Sequence, residues 1–256
     1  MIPIPERYLN ACEHAGTVTP LNYDGKTVLL YQPAGQADSL LVLIHGGGGN
    51  ERDFFCSAFL NIVDHLIAER RMAPVFIIAP CFYDPDETDK SPSSSGRAVA
   101  KFPRELRERI LPLVERYLGR AFDRTQRAIS GFSMGGVATW HAFVQALDLF
   151  SIFLPLSGDC WIQGEKGGGS HPTETAQALA EAVLRQNSPE FLIRAITGSK
   201  DIAYPNLDPQ IRAMQQLPVF LDRLTYDVLE DGVHDYATIF RYLYNALPQL
   251  FPAQRD

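Results

Sequence analysis

The amino-acid sequence predicts an α/β protein: a mainly parallel central sheet, helices on both faces, and an antiparallel hairpin at the N-terminal end. Three observations carry that expectation. Apolar runs of β character alternate with stretches of helical periodicity. Several of these runs are continuously apolar, as strands covered on both faces must be. No internal repeat or long Pro/Ser linker divides the 256 residues, so 1–256 reads as one domain.

The elements follow in order. Residues 17–23 (TVTPLNY) and 26–32 (KTVLLYQ) flank Asp24-Gly25, a strong hairpin-turn pair. Residues 39–44 (SLLVLI) are a buried strand that ends at His45 and the glycine run Gly46 to Gly49. Residues 54–71 carry apolar positions at helical spacing and close on basic residues. Residues 75–79 (VFIIA) are the next strand. Residues 82–96 are polar and rich in Asp, Ser and Pro, and are expected to form an exposed loop. Residues 103–118 read as a helix with Pro103 near its start and a kink or break at Pro112. Residues 127–130 (RAIS) form a strand, and 136–147 a helix. The strand 152–156 leads to a glycine-rich loop at 164–170 and a helix over 173–186. Residues 191–197 (FLIRAIT) and 224–229 (LTYDVL) are the last two strands, separated by a short helix at 209–217, and a helix at 235–247 closes the chain. The segments 82–96 and 164–172 are read as surface insertions at the sheet edge where α/β enzymes place ligands.

Composition narrows the function. A formal net charge of -7 argues against a nucleic-acid partner, because phosphate neutralisation needs a basic face. No apolar run approaches the roughly 20 residues of a membrane-spanning helix. The start, MIPIPERYLN, lacks a basic segment followed by an apolar one, so the chain is expected to be either cytoplasmic or a mature or excised module of a secreted enzyme. Cys12, Cys56, Cys81 and Cys160 are widely spaced and form no CxxC pair, so no metal site is expected, and Cys56 and Cys81 read as buried thiols. No oligomeric state is implied.

Gly131-Phe132-Ser133-Met134-Gly135 matches G-x-S-x-G, between a β run and a helical run. A sharp strand-to-helix turn lifts the serine hydroxyl above the sheet, and the following helix directs N–H groups at the reacting centre. Ser133 is the candidate nucleophile. A serine hydroxyl needs a base. Of the six histidines, His234 alone follows the last strand. His65 and His141 fall within helices, His171 in the glycine-rich loop, and His14 has no context. The carboxylate that orients the base is expected at Asp201, after strand 191–197; Asp208, Asp227, Glu230 and Asp231 are its competitors. The oxyanion donors are expected to be the Met134 N–H and one from the loop His45 to Gly49, Gly47 first and Gly48 next.

Together these residues resemble the feruloyl esterases of carbohydrate esterase family 1, especially the esterase modules of bacterial cellulosomal xylanases. The matching pieces are LVLIHGGGGNERDFF (41–55), SGFSMGG (130–136), LPLSGDCW (154–161), TGSKDIAYPN (197–206) and DGVHDY (231–236). The resemblance implies the α/β-hydrolase fold, with Ser133, His234 and Asp201 matching the family's nucleophile, base and acid. It implies hydrolysis of esters between hydroxycinnamic acids and arabinose on xylan, with no cofactor. It sets Asp159 and Trp161 beside the substrate, Trp161 offering a face for an aromatic acid or a sugar, while His45, from its place before the glycines, reads as part of the oxyanion loop and is expected at the substrate. One departure stands out: Asp-Tyr follows His234, where some relatives carry tryptophans. Acetyl-xylan esterases, small-acyl thioesterases and a non-catalytic carbohydrate-binding relative are the rivals.

Overall fold

The computed structural model describes residues 1–187 and 189–253. Its centre is one sheet of eight strands: β1 (Thr17–Tyr23), β2 (Lys26–Gln32), β3 (Leu40–Ile44), β4 (Phe76–Pro80), β5 (Arg127–Phe132), β6 (Ile152–Leu156), β7 (Leu192–Gly198) and β8 (Leu224–Leu229). Their spatial order is β1-β2-β4-β3-β5-β6-β7-β8. β1 and β2 pair antiparallel through Asp24 and Gly25, both at positive φ (44° and 76°), as a two-residue hairpin loop demands. β2 also runs antiparallel to β4, and every pairing from β4 to β8 is parallel. This is the α/β-hydrolase architecture.

The helices are α1 (Ser57–Ala68), α2 (Pro92–Glu105), α3 (Leu111–Leu118), α4 (Met134–Gln145), α5 (Gly167–Ser170), α6 (Pro172–Arg185), α7 (Tyr204–Met214) and α8 (Tyr236–Leu250). The alternation of side chains along β3 divides them between two cores. Leu40, Val42 and Ile44 face α2, α4, α6 and α7, where they meet Phe102, Trp140, Phe143 and Leu207. Leu41 and Leu43 face α1 and α8, where they meet Phe59, Ile62, Phe240 and Leu243. Burial on both faces is why this strand reads as an unbroken apolar run.

Three boundaries differ from the sequence expectation. The polar segment 82–96 is not all loop, because α2 begins at Pro92. Ser91 caps it by accepting a hydrogen bond from Ser94 N, and Ser94 and Ser95 are buried. The Ser-Pro pair at 91–92 is a helix start signal hidden in a serine-rich stretch. Pro103 therefore lies inside α2, and Pro112 does not break the rod. A turn of π-helix, Leu106–Ile110, joins α2 to α3 and absorbs the altered hydrogen bonding ahead of Pro112. α7 starts at Tyr204, with Pro205 in its first turn, five residues before the position expected. The glycine-rich segment lies at the surface at Gly164, Glu165, Lys166 and Ser170, while Gly167 and Gly168 are buried in the short helix α5.

The end of β3 and the start of α4 approach one another very closely. A Cβ placed on Gly135 would lie 2.1 Å from the Ile44 carbonyl oxygen, a backbone overlap that no rotamer relieves. Gly135→Ala is expected to cost about 3 kcal/mol, read as a lower urea midpoint.

Two histidines are sealed in the interior. His45, at the end of β3, is 1% exposed and its ring stacks on Phe82 with centroids 4.3 Å apart. His141 in α4 is 4% exposed. Burial pushes each pKa down to about 4 from the ordinary 6.5. Between those values the unfolded chain takes up protons that the folded chain refuses. This contribution to stability is complete above pH 6.5 and is lost as the pH falls toward 4, reaching about 3 kcal/mol for each ring. His141→Phe should therefore show a shallower loss of urea stability than the native chain between neutral pH and pH about 4.5.

Candidate active site

Ser133 occupies the turn between β5 and α4 with φ 56° and ψ −115°, a conformation that costs a non-glycine residue free energy. The turn is held by the Ser133 N–H, which donates to the Leu156 carbonyl of β6 at 2.9 Å, and by the Val137 N–H, which donates to the Ser133 carbonyl at 3.0 Å. The hydroxyl is thereby raised at the C-terminal edge of the sheet.

The Ser133 Oγ lies 2.9 Å from Nε2 of His234, and Nδ1 of His234 lies 2.7 Å from Oδ1 of Asp201. A carboxylate only accepts, so Nδ1 carries the ring proton and Nε2 is left to accept from the serine. Asp201 is 3% exposed, and its Oδ1 also accepts from the Ala203 N–H at 2.8 Å. The loops bearing acid and base are locked together. A Cβ on Gly198 would meet the Gly232 carbonyl oxygen at 2.2 Å, and the Ser199 and Lys200 N–H groups donate to the carbonyls of Leu229 and Gly232. A surface ion pair, Lys200 with Asp231 at 2.7 Å, spans the same junction. The competing carboxylates are engaged elsewhere: Asp227 with Arg194, Asp208 with Arg212. Glu230 is exposed.

Above the serine lies the glycine loop after β3. A Cβ on Gly46 would sit 3.6 Å from Ser133 Cβ, and one on Gly47 would sit 3.1 Å from Met134 Cγ. Met134 opens α4, where a backbone N–H has no helical partner. Gly48 differs from its expected role: its N–H donates to the Tyr83 hydroxyl at 3.0 Å and is not free for a ligand. The Gly46 N–H donates to the Tyr236 hydroxyl at 3.2 Å, and the Gly49 N–H to the Gly46 carbonyl at 3.2 Å. His45, expected beside the substrate, is instead a support beneath the loop. Its Nδ1 donates to the Gly46 carbonyl at 2.7 Å, and its ring is closed off from the cleft by Phe82.

Ser133 and His234 open onto a cleft of about 100 Å³, walled by Met134, Asp159, Trp161, Ile202 and Asn206. Two larger hollows, of about 370 and 770 Å³, hold none of Ser133, Asp201 and His234. Trp161 is half-buried and lies against Gly96 of α2. Its indole Nε1 donates to Asp159 Oδ1 at 3.1 Å, while Gly168 N–H donates to Oδ2 at 3.0 Å. Asp159 thus orients the tryptophan from below. Burial pushes its carboxyl up, opposed by those same two hydrogen bonds. Ile202 is 74% exposed at the cleft mouth. Ile202 and Asn206 were not singled out from sequence, although both fall inside a segment that carries the family resemblance, and Tyr236 stood out there only as a departure from tryptophan-bearing relatives. Among the described residues there is no cluster of three or more His, Cys, Asp or Glu that could hold a metal ion, and no helix long and apolar enough to cross a membrane.

Residues 24–246 match the esterase family model described as "Putative esterase". Endo-1,4-beta-xylanase Y of Acetivibrio thermocellus is 33% identical over 97% of this chain, which covers 24% of that protein. An endo-1,4-beta-xylanase/feruloyl esterase of Xylanibacter ruminicola is 25% identical over 49% of this chain and 17% of its own length. The chain thus spans about a quarter or less of these curated relatives. Among solved structures, a serine-to-alanine mutant of the feruloyl esterase module from Clostridium thermocellum, complexed with sinapinate, superposes with a TM-score of 0.86 at 31% identity, covering 100% of this chain and 95% of that one. With a family match over most of its length and a likeness this extensive, the chain belongs to this esterase family, a serine-hydrolase-type esterase of the α/β-hydrolase fold related to the feruloyl esterase modules of xylanases.

Proposed function

We propose that the chain hydrolyses feruloyl and related hydroxycinnamoyl esters of plant arabinoxylan through a covalent acyl-enzyme, as one domain spanning 1–256. The observation that carries this reading is the continuous relay of Ser133 Oγ, His234 and Asp201 at 2.9 and 2.7 Å, opening onto a cleft with Trp161 in its wall. The substrate class is supported by the related module that binds sinapinate.

The mechanism follows from the proton positions. Ser133 Oγ attacks the ester carbonyl while its proton passes to Nε2 of His234. Asp201 holds the Nδ1 proton and stabilises the imidazolium that forms. The negative charge on the carbonyl oxygen falls between the N–H groups of Met134 and Gly47. His234 then returns the proton to the departing sugar hydroxyl. Water, deprotonated by the same ring, attacks the acyl-enzyme carbonyl, and Ser133 leaves with a proton as the acid is released. Trp161 and Ile202 supply apolar surface for the aromatic acyl group, and Asp159 fixes the indole. His45 acts as a loop support.

A short-acyl reading is favoured by one observation, the cleft volume of about 100 Å³, which is modest for a hydroxycinnamoyl group. The two readings part on methyl ferulate against 4-nitrophenyl acetate. The hydroxycinnamate reading expects efficient turnover of methyl ferulate, and no turnover of it would refute that reading. Ser133→Ala is expected to lower kcat by at least about a thousandfold on either ester, and retained activity would reject the nucleophile. Trp161→Ala is expected to lower kcat/KM for methyl ferulate by roughly tenfold or more, with a smaller effect on the acetate. Equal losses on both esters would remove Trp161 from the acyl site.

A further inference from the structure

The glycine loop above Ser133 holds its shape by hydrogen bonds that can be followed one by one. Gly46 N–H goes to the Tyr236 hydroxyl and Gly48 N–H to the Tyr83 hydroxyl. Gly49 N–H closes a turn onto the Gly46 carbonyl, and that carbonyl also receives Nδ1–H of His45. Gly47 lies between the two tyrosine-held positions, and its N–H has no hydrogen bond among the described residues.

Each tyrosine is obliged to present a lone pair to the loop, because its own proton is committed on the far side. The Tyr236 hydroxyl donates to Asp53 Oδ2 at 3.0 Å, and a carboxylate can only accept. The Tyr83 hydroxyl lies 2.6 Å from Ser95 Oγ, and Ser95 in turn donates to the Lys90 carbonyl at 3.4 Å. The Ser95 proton being spent there, the Tyr83 proton goes to Ser95. Both rings are fixed. Tyr236 stands edge-on to Phe132 at 5.0 Å and to Phe54 at 5.3 Å. Tyr83 packs on Phe82 at 4.4 Å beneath the Lys90 ammonium, 3.4 Å from its ring centroid. Tyr236 has a further position of consequence. It is two residues beyond His234, and Phe132, the ring it abuts, is adjacent to Ser133 and 4.5 Å from the His234 ring.

We propose that Tyr236 and Tyr83 are positioning residues that clamp the glycine loop from both sides, turning Gly48 and Gly46 away from the cleft and aiming the intervening Gly47 N–H at the oxyanion. This rests on the acyl-transfer reading above. In that arrangement Tyr236 registers the oxyanion loop against the nucleophile turn and the base, and Asp53 anchors Tyr236. Neither tyrosine touches substrate: Tyr83 is 3% exposed, and neither lines the cleft. Burial also pushes the Tyr236 hydroxyl up, which keeps it protonated and its bond to Asp53 intact at ordinary pH.

The experiment is Tyr236→Phe and Tyr83→Phe, each deleting one oxygen and keeping the ring. Three probes are compared: methyl ferulate turnover, inhibition by free ferulate, and inhibition by phenylboronic acid. The boronic acid accepts the serine oxygen at boron and becomes tetrahedral, placing a boron-bound oxygen where the oxyanion develops; ferulate stays planar. Each variant is expected to lose about 10- to 100-fold in kcat with KM and ferulate inhibition unchanged. Phenylboronic acid inhibition should weaken by the same factor as kcat. Asp53→Asn, which still offers Tyr236 an acceptor, should keep more activity than Asp53→Ala. Unchanged kcat in both tyrosine variants overturns the proposal. So does a loss that falls equally on ferulate and phenylboronic acid, since that is damage to the cleft and not to oxyanion geometry. The comparison is repeated with 4-nitrophenyl acetate. If methyl ferulate is not turned over, the acetate kinetics still decide the tyrosines, and the substrate reading fails separately.

Discussion

Ser133 has a backbone conformation that a free peptide would abandon, and the surrounding chain is arranged to prevent that. The turn is sandwiched between β3, β6 and the start of α4, at distances where a single added methyl group would overlap a carbonyl. Its own peptide groups are tied to Leu156 and Val137. The stored strain keeps the hydroxyl proud of the sheet, and the parallel strands on either side supply the rigidity that opposes it. Without that constraint the imidazole at 234 and the glycine loop would have nothing fixed to converge on.

The convergence itself comes from topology. β3, β5, β7 and β8 all run parallel, so the connections that leave their C-terminal ends emerge at one edge of the sheet. The glycine loop follows β3, Ser133 follows β5, Asp201 follows β7 and His234 follows β8. Short-range devices then refine the aim. Gly198 lets the acid and base loops touch, His45 braces the Gly46 carbonyl, and two tyrosine hydroxyls take up loop N–H groups that would otherwise point at solvent or substrate.

Much of this was legible in the sequence because it is local. Asp24-Gly25 names its own turn, the run at 40–44 can only be a strand covered on both sides, and the glycines around Ser133 signal the close passage of backbone. The chain order of Ser133, Asp201 and His234 also pointed at three side chains that do meet. What could not be read is where polar surface hides structure and where side chains aim. The serine-rich start of α2 has no apolar stripe to betray it, since its buried positions include Ser94 and Ser95. The insertion of β4 between β2 and β3 leaves no mark on the sequence. His45 looked like a cleft residue from its place beside the glycines, but the extended chain turns its ring under the loop against Phe82. Tyr83 and Tyr236 are far apart in the chain, and only the folded loop reveals that both face the same short stretch of backbone.

The dispersal of the site along the chain has a kinetic corollary. Its parts are contributed by strands that are neighbours in space yet joined only through crossovers, so no hairpin or isolated βα unit carries even a rudimentary version of it. Such long-range pairings are made late and slowly. During renaturation, helix content and compaction should return ahead of ester cleavage, and turnover should recover only once the pairings that link β3, β5, β6, β7 and β8 are all in place.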